Sequence, residues 1–288
     1  MEPRMKRTWT AVALAASLLL SAAPLPASAA DATIVEDAEV TVDGRNVPLA
    51  DPLRIADGRL FLPVAPLASL FGATVTWDAD NEAATLHTSN GGTIVMRNGV
   101  LVVTYNERRY AMDTAPFLAN GRTYLPFRAV AELMNASVQW DEAERRATLS
   151  SVAPAEAQAA PQLTEAEPYA EEDLQLLAKL VQVEAGYEPY EGQLAIANII
   201  LNRVKDSRFP DTIRDVIYSG RQFPPAHNGL LDKSEPNASS LRAARDALDG
   251  RNNIEDAVYF YNPDVTGGPF WDRLEVVAVI GNHAYAKS

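Results

Sequence analysis

The chain predicts an α+β fold in two domains, and three observations lead there. A segment within residues 39–150 recurs 63 residues further on, and each copy reads as short strands around one helix. Residues 151–170 (SVAPAEAQAAPQLTEAEPYA) lose all apolar period and have linker composition. Beyond them the chain reads as helices followed by strands near its end. The expected domains are residues 1–29 as an export signal, 30–150 as a small α/β repeat domain, 151–170 as a linker and 171–288 as an α+β domain.

The first 29 residues fit an export signal. Arg4, Lys6 and Arg7 precede the apolar run from Thr10 to Leu20, and Ala27-Ser28-Ala29 suits a small-residue cleavage site. The expected location is therefore outside the cytoplasmic membrane. A net charge of -13 argues against nucleic acid as a partner, and the lack of cysteine rules out disulfides and thiolate chemistry.

The two copies run from Asp57 to Asp78 (DGRLFLPVAPLASLFGATVTWD) and from Asn120 to Asp141 (NGRTYLPFRAVAELMNASVQWD). Gly-Arg, Pro and Trp-Asp agree at one spacing: Arg59/Arg122, Pro63/Pro126, Trp77/Trp140 and Asp78/Asp141. In each, a glycine turn leads into a strand, a proline opens a helix and Gly72 or Asn135 closes it in the left-handed region. An alternating strand with Val75 and Trp77, or Val138 and Trp140, follows, giving two ββαββ-like repeats. Strand positions facing a helix make both tryptophans core residues, with sugar stacking as the alternative. The pattern resembles the copper amine oxidase N-terminal domain, a module of exported bacterial proteins, which implies a wall-targeting or spacer role. It implies no copper here, because His87 stands without other ligands.

In the C-terminal domain the spacing of Leu174, Leu177 and Val181 predicts a helix over 171–183, ending near Glu184. Gly186 permits a break, Pro189 starts a second helix, and QLAIANIILNRV is apolar nearly all round, so that helix is central. Asn198 and Asn202 share one of its faces and need partners, either loop backbone or Glu184. Asp211 is placed to cap a short helix to Tyr218, and 224–239 reads as a long polar loop. A helix over 241–248 and strands over 257–261 and 276–280 complete the domain.

Ordered motifs across this region are Val181 to Ala185 (VQVEA), Glu188 to Gln193 (EPYEGQ), Ala197 to Val204 (ANIILNRV), Phe209 to Tyr218 (FPDTIRDVIY), Gln222-Phe223, Tyr259 to Pro263 (YFYNP) and Ile280 to Lys287 (IGNHAYAK). Together they resemble the SleB-type cell wall hydrolases, the spore cortex-lytic family. The resemblance implies a lysozyme-like α+β catalytic domain, peptidoglycan as partner and no cofactor. It places the catalytic glutamate on Glu184. The family's usual Ala-Arg-Gly-Glu stands here as Ala185-Gly186-Tyr187-Glu188, a departure at the cleft rim.

A carboxyl held in hydrocarbon favours its protonated form, as a general acid on a glycosidic oxygen requires. One such group suffices for a lytic transglycosylase, in which the muramic C6 hydroxyl attacks in place of water. A water-using muramidase or glucosaminidase needs a second carboxylate, for which Glu188, Glu191, Asp232 and Glu235 are the candidates. Glu188 and Glu191 read first as solvated loop carboxylates. The expected substrate contacts are Gln222 to an acetamido group, Phe223 beneath a sugar, and Tyr259, Tyr261, Asn262, Glu188 and His283 along the cleft. Phe260 should enter the core between the two tyrosines. No metal-ligand spacing or serine-nucleophile elbow is present in the sequence. An enzyme of cortex lysis or wall remodelling is the leading expectation. A catalytically idle wall-binding protein is the rival from another class. Other wall or germination proteins are further expected partners of the N-terminal domain.

Overall fold

A computed structural model describes residues 32–151, 163–220 and 222–288; the export-signal residues 1–29 and residues 152–162 of the expected linker lie outside the described residues. The first unit is β-rich. It begins with β1 (Thr33–Ile34), β2 (Glu39–Val42) and β3 (Arg45–Val47). Then come β4 (Arg54–Ala56), β5 (Arg59–Pro63), α1 (Val64–Leu70), β6 (Thr74–Asp78) and β7 (Ala83–His87). Three strands absent from the sequence reading, β8 (Thr93–Arg97), β9 (Val102–Tyr105) and β10 (Arg108–Ala111), precede the second group. That group is β11 (Phe117–Ala119), β12 (Arg122–Pro126), α2 (Phe127–Leu133), β13 (Ala136–Asp141) and β14 (Arg146–Ser151).

These strands make three sheets, in the orders β1-β4-β5-β12-β11, β10-β9-β8-β7-β6 and β13-β14-β2-β3. The central pairing is antiparallel between β5 and β12, where Leu62 lies opposite Leu125, its own counterpart in the sequence repeat. Both turns into these strands need positive φ at two successive residues, Asp57-Gly58 and Asn120-Gly121, the sequence preference of a tight hairpin turn. Gly72 and Asn135 also have positive φ just past the two short helices. The core holds Leu62, Leu67, Leu125, Phe127, Val130 and Leu133 with residues from all three sheets. Trp140 packs half-buried against this core, as expected, whereas Trp77 departs from the expectation and is 44% exposed on the edge strand β6.

The second unit is led by α3 (Glu171–Ala185) and α4 (Tyr190–Lys205). Then follow α5 (Ile213–Tyr218), α6 (Leu230–Lys233), α7 (Ala238–Leu248), β15 (Tyr259–Tyr261), β16 (Glu275–Ile280) and β17 (His283–Lys287). Glu171, Glu172 and Asp173 fill the first turn of α3, where they complement its positive end. As expected, α4 is central: eleven of its residues, from Gly192 to Arg203, are buried against α3 and α7. Asn202 donates to the carbonyls of Glu255 and Ala257, and Asn198 to the Asn253 side chain, so both amides hold the loop before β15. Thr212, not Asp211, caps α5 by accepting from the Asp215 amide. The expected 224–239 loop contains a short turn at Pro224–Ala226 and the helix α6.

The units touch, where the sequence predicts an extended tether between two independently folded units. Residues 163–170 lie along β10, with Ala111 donating to Thr164 O, Ala166 donating to Arg109 O and Arg109 stacked 4.6 Å from the Tyr169 ring. The end of α7 meets the strands beyond them. Asp246 and Asp249 are buried, and Arg97 from β8 binds both while Arg109 from β10 also binds Asp249. Arg251 reaches Glu82 in the first unit at 3.1 Å and Glu191 in its own at 3.0 Å. Leu101 donates to Asp249 O. Gly99 and Gly250 let the backbones close, since a Cβ on Gly99 would stand 3.2 Å from Arg251 and one on Gly250 3.0 Å from Leu101. Composition alone made 151–170 a linker, and the charges that join the two units are scattered over both of them.

Removing one partner of a buried ion pair strands the other. Asp249→Ala should therefore destabilise the docked form by about 3–5 kcal/mol. Calorimetry should then show the two units melting separately, where the parent chain melts as one.

Candidate active site

Glu184 sits in the last turn of α3, three residues before the fully exposed Tyr187. Burial raises its pKa above the usual 4.5. Its place at the negative end of the helix acts in the same direction. The turn that follows is held from both sides. Gln182 accepts from the Asn237 amide, and the buried Ser240 hydroxyl lies 3.1 Å from both Gln182 Oε1 and Gln193 Oε1. Gln193 in turn donates to Glu188 O. Gly186 is required beside Gln182, where a Cβ would come within 2.4 Å of the Gln182 carbonyl.

Glu188 is no solvated loop carboxylate. Its side chain is 10% exposed and accepts from Asn282 Nδ2 at 2.7 Å and from the Asn282 amide, with His283 Nδ1 3.7 Å away. It thus joins the start of α4 to the turn between β16 and β17. Gly281 in that turn has φ +57, and its missing Cβ would lie 1.8 Å from Glu188 Oε2. Tyr285 completes the joint by donating to Gly192 O. Glu191, the next carboxylate, meets Arg251 and accepts from Asn253 Nδ2 at 2.9 Å. The structure therefore brings Glu188, Asn282 and His283 together as a clasp. Their shared presence in sequence motifs follows from folding as readily as from substrate contact.

Phe223 is also corrected. It is 1% exposed, stacked on Phe260 and covered by Arg203, so it cannot lie beneath a sugar. Burial pulls the Arg203 pKa down to about 10. Gln222 beside it is exposed. Phe260 packs on the core as expected, facing Tyr285 and His283. Tyr259 and Tyr261 take the other face of β15, where Tyr259 meets Phe209 and Phe270 and Tyr261 meets Trp271 at 4.7 Å. Asn262 caps the following turn by accepting from the Asp264 amide. The residue that sequence reasoning passed over is Tyr187. Its signal was its place in the departing Gly186-Tyr187 pair, a bulky aromatic where nothing local could bury it.

Comparison with known proteins matches each unit separately. Residues 187–286 match the Cell Wall Hydrolase family, a span that begins three residues after Glu184, and residues 41–149 match the Copper amine oxidase N-terminal domain. The spore cortex-lytic enzyme of Oceanobacillus iheyensis is 41% identical over 120 residues, which are 41% of this chain and 43% of that protein. Its Bacillus subtilis counterpart is 37% identical over 120 residues, 41% of this chain and 39% of that protein. The chain thus spans under half the length of these curated relatives. The solved catalytic domain of the germination-specific lytic transglycosylase SleB from Bacillus anthracis is 34% identical, over 42% of this chain and 99% of that one, with a TM-score of 0.40. The chain carries a cell wall hydrolase domain behind a copper amine oxidase N-terminal domain.

Two measurements test this geometry. Gly281→Ala forces a Cβ onto the Glu188 carboxylate at positive φ, and a loss of about 1–3 kcal/mol is expected in urea unfolding. Glu188→Ala removes the clash, so the double variant should lose less than the sum of the single ones. For Glu184 the folded pKa lies above the unfolded one. Its linked stability is therefore fully present below the unfolded value and is lost as pH rises through the folded value. Glu184→Gln, neutral throughout, should be more stable than the parent at mildly alkaline pH, with the gap closing in acid.

Proposed function

We propose that the protein cleaves the glycan strand of peptidoglycan between N-acetylmuramic acid and N-acetylglucosamine, with Glu184 as the single acid and base. The observation that carries this reading is a glutamate at the end of α3 whose pKa burial raises, three residues before the matched cell wall hydrolase span. Glu184 gives its proton to the glycosidic oxygen as the bond to muramic C1 breaks. The muramic C6 hydroxyl then attacks C1, and its proton goes to the Glu184 carboxylate, which leaves a 1,6-anhydro end and consumes no water.

The fate of the neighbouring carboxylates favours this route over a water-using hydrolase. Glu188 is engaged by Asn282 and Glu191 by Arg251 and Asn253, so neither stands free as a second catalytic carboxylate, which leaves the exposed Asp232 and Glu235 as the candidates for a hydrolase. Tyr187, Gln222, Tyr259 and Tyr261 remain as candidate sugar contacts. We read the C-terminal unit as lysozyme-like and the hairpin–helix–hairpin groups of the N-terminal unit as copies of one ββαββ repeat. The relatives are named for lysis of the spore cortex. That likeness supports our reading of an enzyme acting on cortex, and the N-terminal residues support export; action on the wall during remodelling is the alternative setting.

Digestion of purified peptidoglycan by the full chain, read by mass spectrometry, tests the reading. Anhydromuropeptides are expected from the parent, in a yield that falls as pH rises through the Glu184 pKa. Glu184→Gln should lose about 100-fold or more in rate. Reducing-end products would instead establish a hydrolase. An active Glu184→Gln would remove the residue from the mechanism.

A further inference from the structure

The N-terminal unit contains two hollows built from equivalent positions of its sequence repeat. One, of about 490 Å³, is lined by Trp77, Pro63 and Val75 from the first copy and by Gly121 and Arg122 from the second. The other, of about 330 Å³, is lined by Trp140, Pro126 and Val138 from the second copy and by Gly58 and Arg59 from the first. Each copy thus supplies a tryptophan to one hollow and a Gly-Arg pair to the other. Each arginine is also paired with an aspartate from outside the repeated segments. Arg122 meets Asp51 at 2.7 Å, and Arg59 meets Asp113 at 2.5 Å.

The two hollows differ in what covers the tryptophan. Leu163 and Thr164, from the segment that joins the two units, line the hollow at Trp140, and that ring is half-buried. In that hollow the chain itself supplies part of the wall. Among the described residues the joining segment adds nothing to the Trp77 hollow, and Trp77 is 44% exposed on an edge strand.

We propose that the Trp77 hollow is a saccharide-binding site, separate from Glu184, that holds the protein on uncharged glycan. The volume falls in the range of small-ligand sites. An open indole offers a flat apolar surface that matches the C–H face of a pyranose. The Arg122–Asp51 pair beside it supplies fixed donors and acceptors for ring hydroxyls or an acetamido group. The pair is neutral as a unit and the protein carries a net charge of -13, so an anionic polymer does not fit this site. None of these points depends on the cleavage reading.

The test is co-sedimentation of the full chain, carrying Glu184→Gln, with purified peptidoglycan sacculi stripped of attached anionic polymers. Trp77→Ala should raise the apparent Kd about tenfold, the loss expected of an aromatic anchor, while Trp77→Phe keeps most of the affinity. Arg122→Gln should weaken binding several-fold, and it tests the same hollow should Trp77→Ala fail to fold. Trp140→Ala should leave binding near that of the parent. Unchanged sedimentation of folded Trp77→Ala would overturn the proposal, as would an equal loss on Trp140→Ala. In the chain with Glu184 intact, Trp77→Ala should slow turnover of sacculi and leave turnover of short soluble glycan fragments unchanged. A failure of the cleavage reading would show as no turnover in any variant, with the sedimentation result still standing.

Discussion

Two carboxylates withdrawn from water at the end of α7 set the arrangement of the whole molecule. Asp246 and Asp249 are essentially inaccessible, and a buried charge without partners is costly. Asp246 has charged neighbours on its own unit, Arg242 and Arg251, and accepts from the Tyr190 hydroxyl at 2.7 Å. The arginines that meet Asp249, Arg97 and Arg109, belong to the other unit. Separation would leave that aspartate uncompensated, so docking is a condition of its burial. Tyr190 shares the junction, with the guanidinium groups of Arg242 and Arg251 over its ring at 4.1 and 5.1 Å. Burial, followed by the Asp246 charge, pushes its phenol pKa well up.

From this junction the connections run directly to the turn after Glu184. Arg251 links Glu82 to Glu191 in the first turn of α4, and Gln193, in the next turn of that helix, holds the Glu188 carbonyl. Two glutamates four residues apart thereby receive opposite treatment. Glu184 is given burial, which favours the neutral acid. Glu188 is given hydrogen bonds from the Asn282 side chain and amide. That division of environments is how a single fold assigns different roles to chemically equal groups.

Much of the fold was legible because its causes are local. Asp57-Gly58 and Asn120-Gly121 announce hairpin turns, Gly72 and Asn135 announce helix ends, and the apolar run of 193–204 announces a central helix. The pairing of Leu62 with Leu125 is the structural image of a repeat already visible in the letters. What escaped notice depends on contacts between distant residues. Whether Trp77 is covered depends on whether its strand lies at an edge of its sheet. The burial of Phe223 depends on Phe260 and Arg203 arriving from elsewhere in the chain. The role of Glu188 depends on Asn282, 94 residues away. The glutamate of the candidate site was legible as a residue, and its surroundings were not.

A rigid junction changes what a second binding site can do. With a flexible tether, binding at one unit raises the local concentration seen by the other over a wide range of distances and orientations. Docking through Asp246, Asp249 and residues 163–170 fixes the distance and angle between the Trp77 hollow and Glu184. A glycan strand then gains from both sites only when its own geometry spans that fixed separation, and one that cannot span it gains nothing. Selection on this basis responds to how strands are laid out in a wall rather than to which sugars they contain. A tryptophan held away from Glu184 would therefore direct where on a polymer the proposed acid is applied, without touching the bond that breaks.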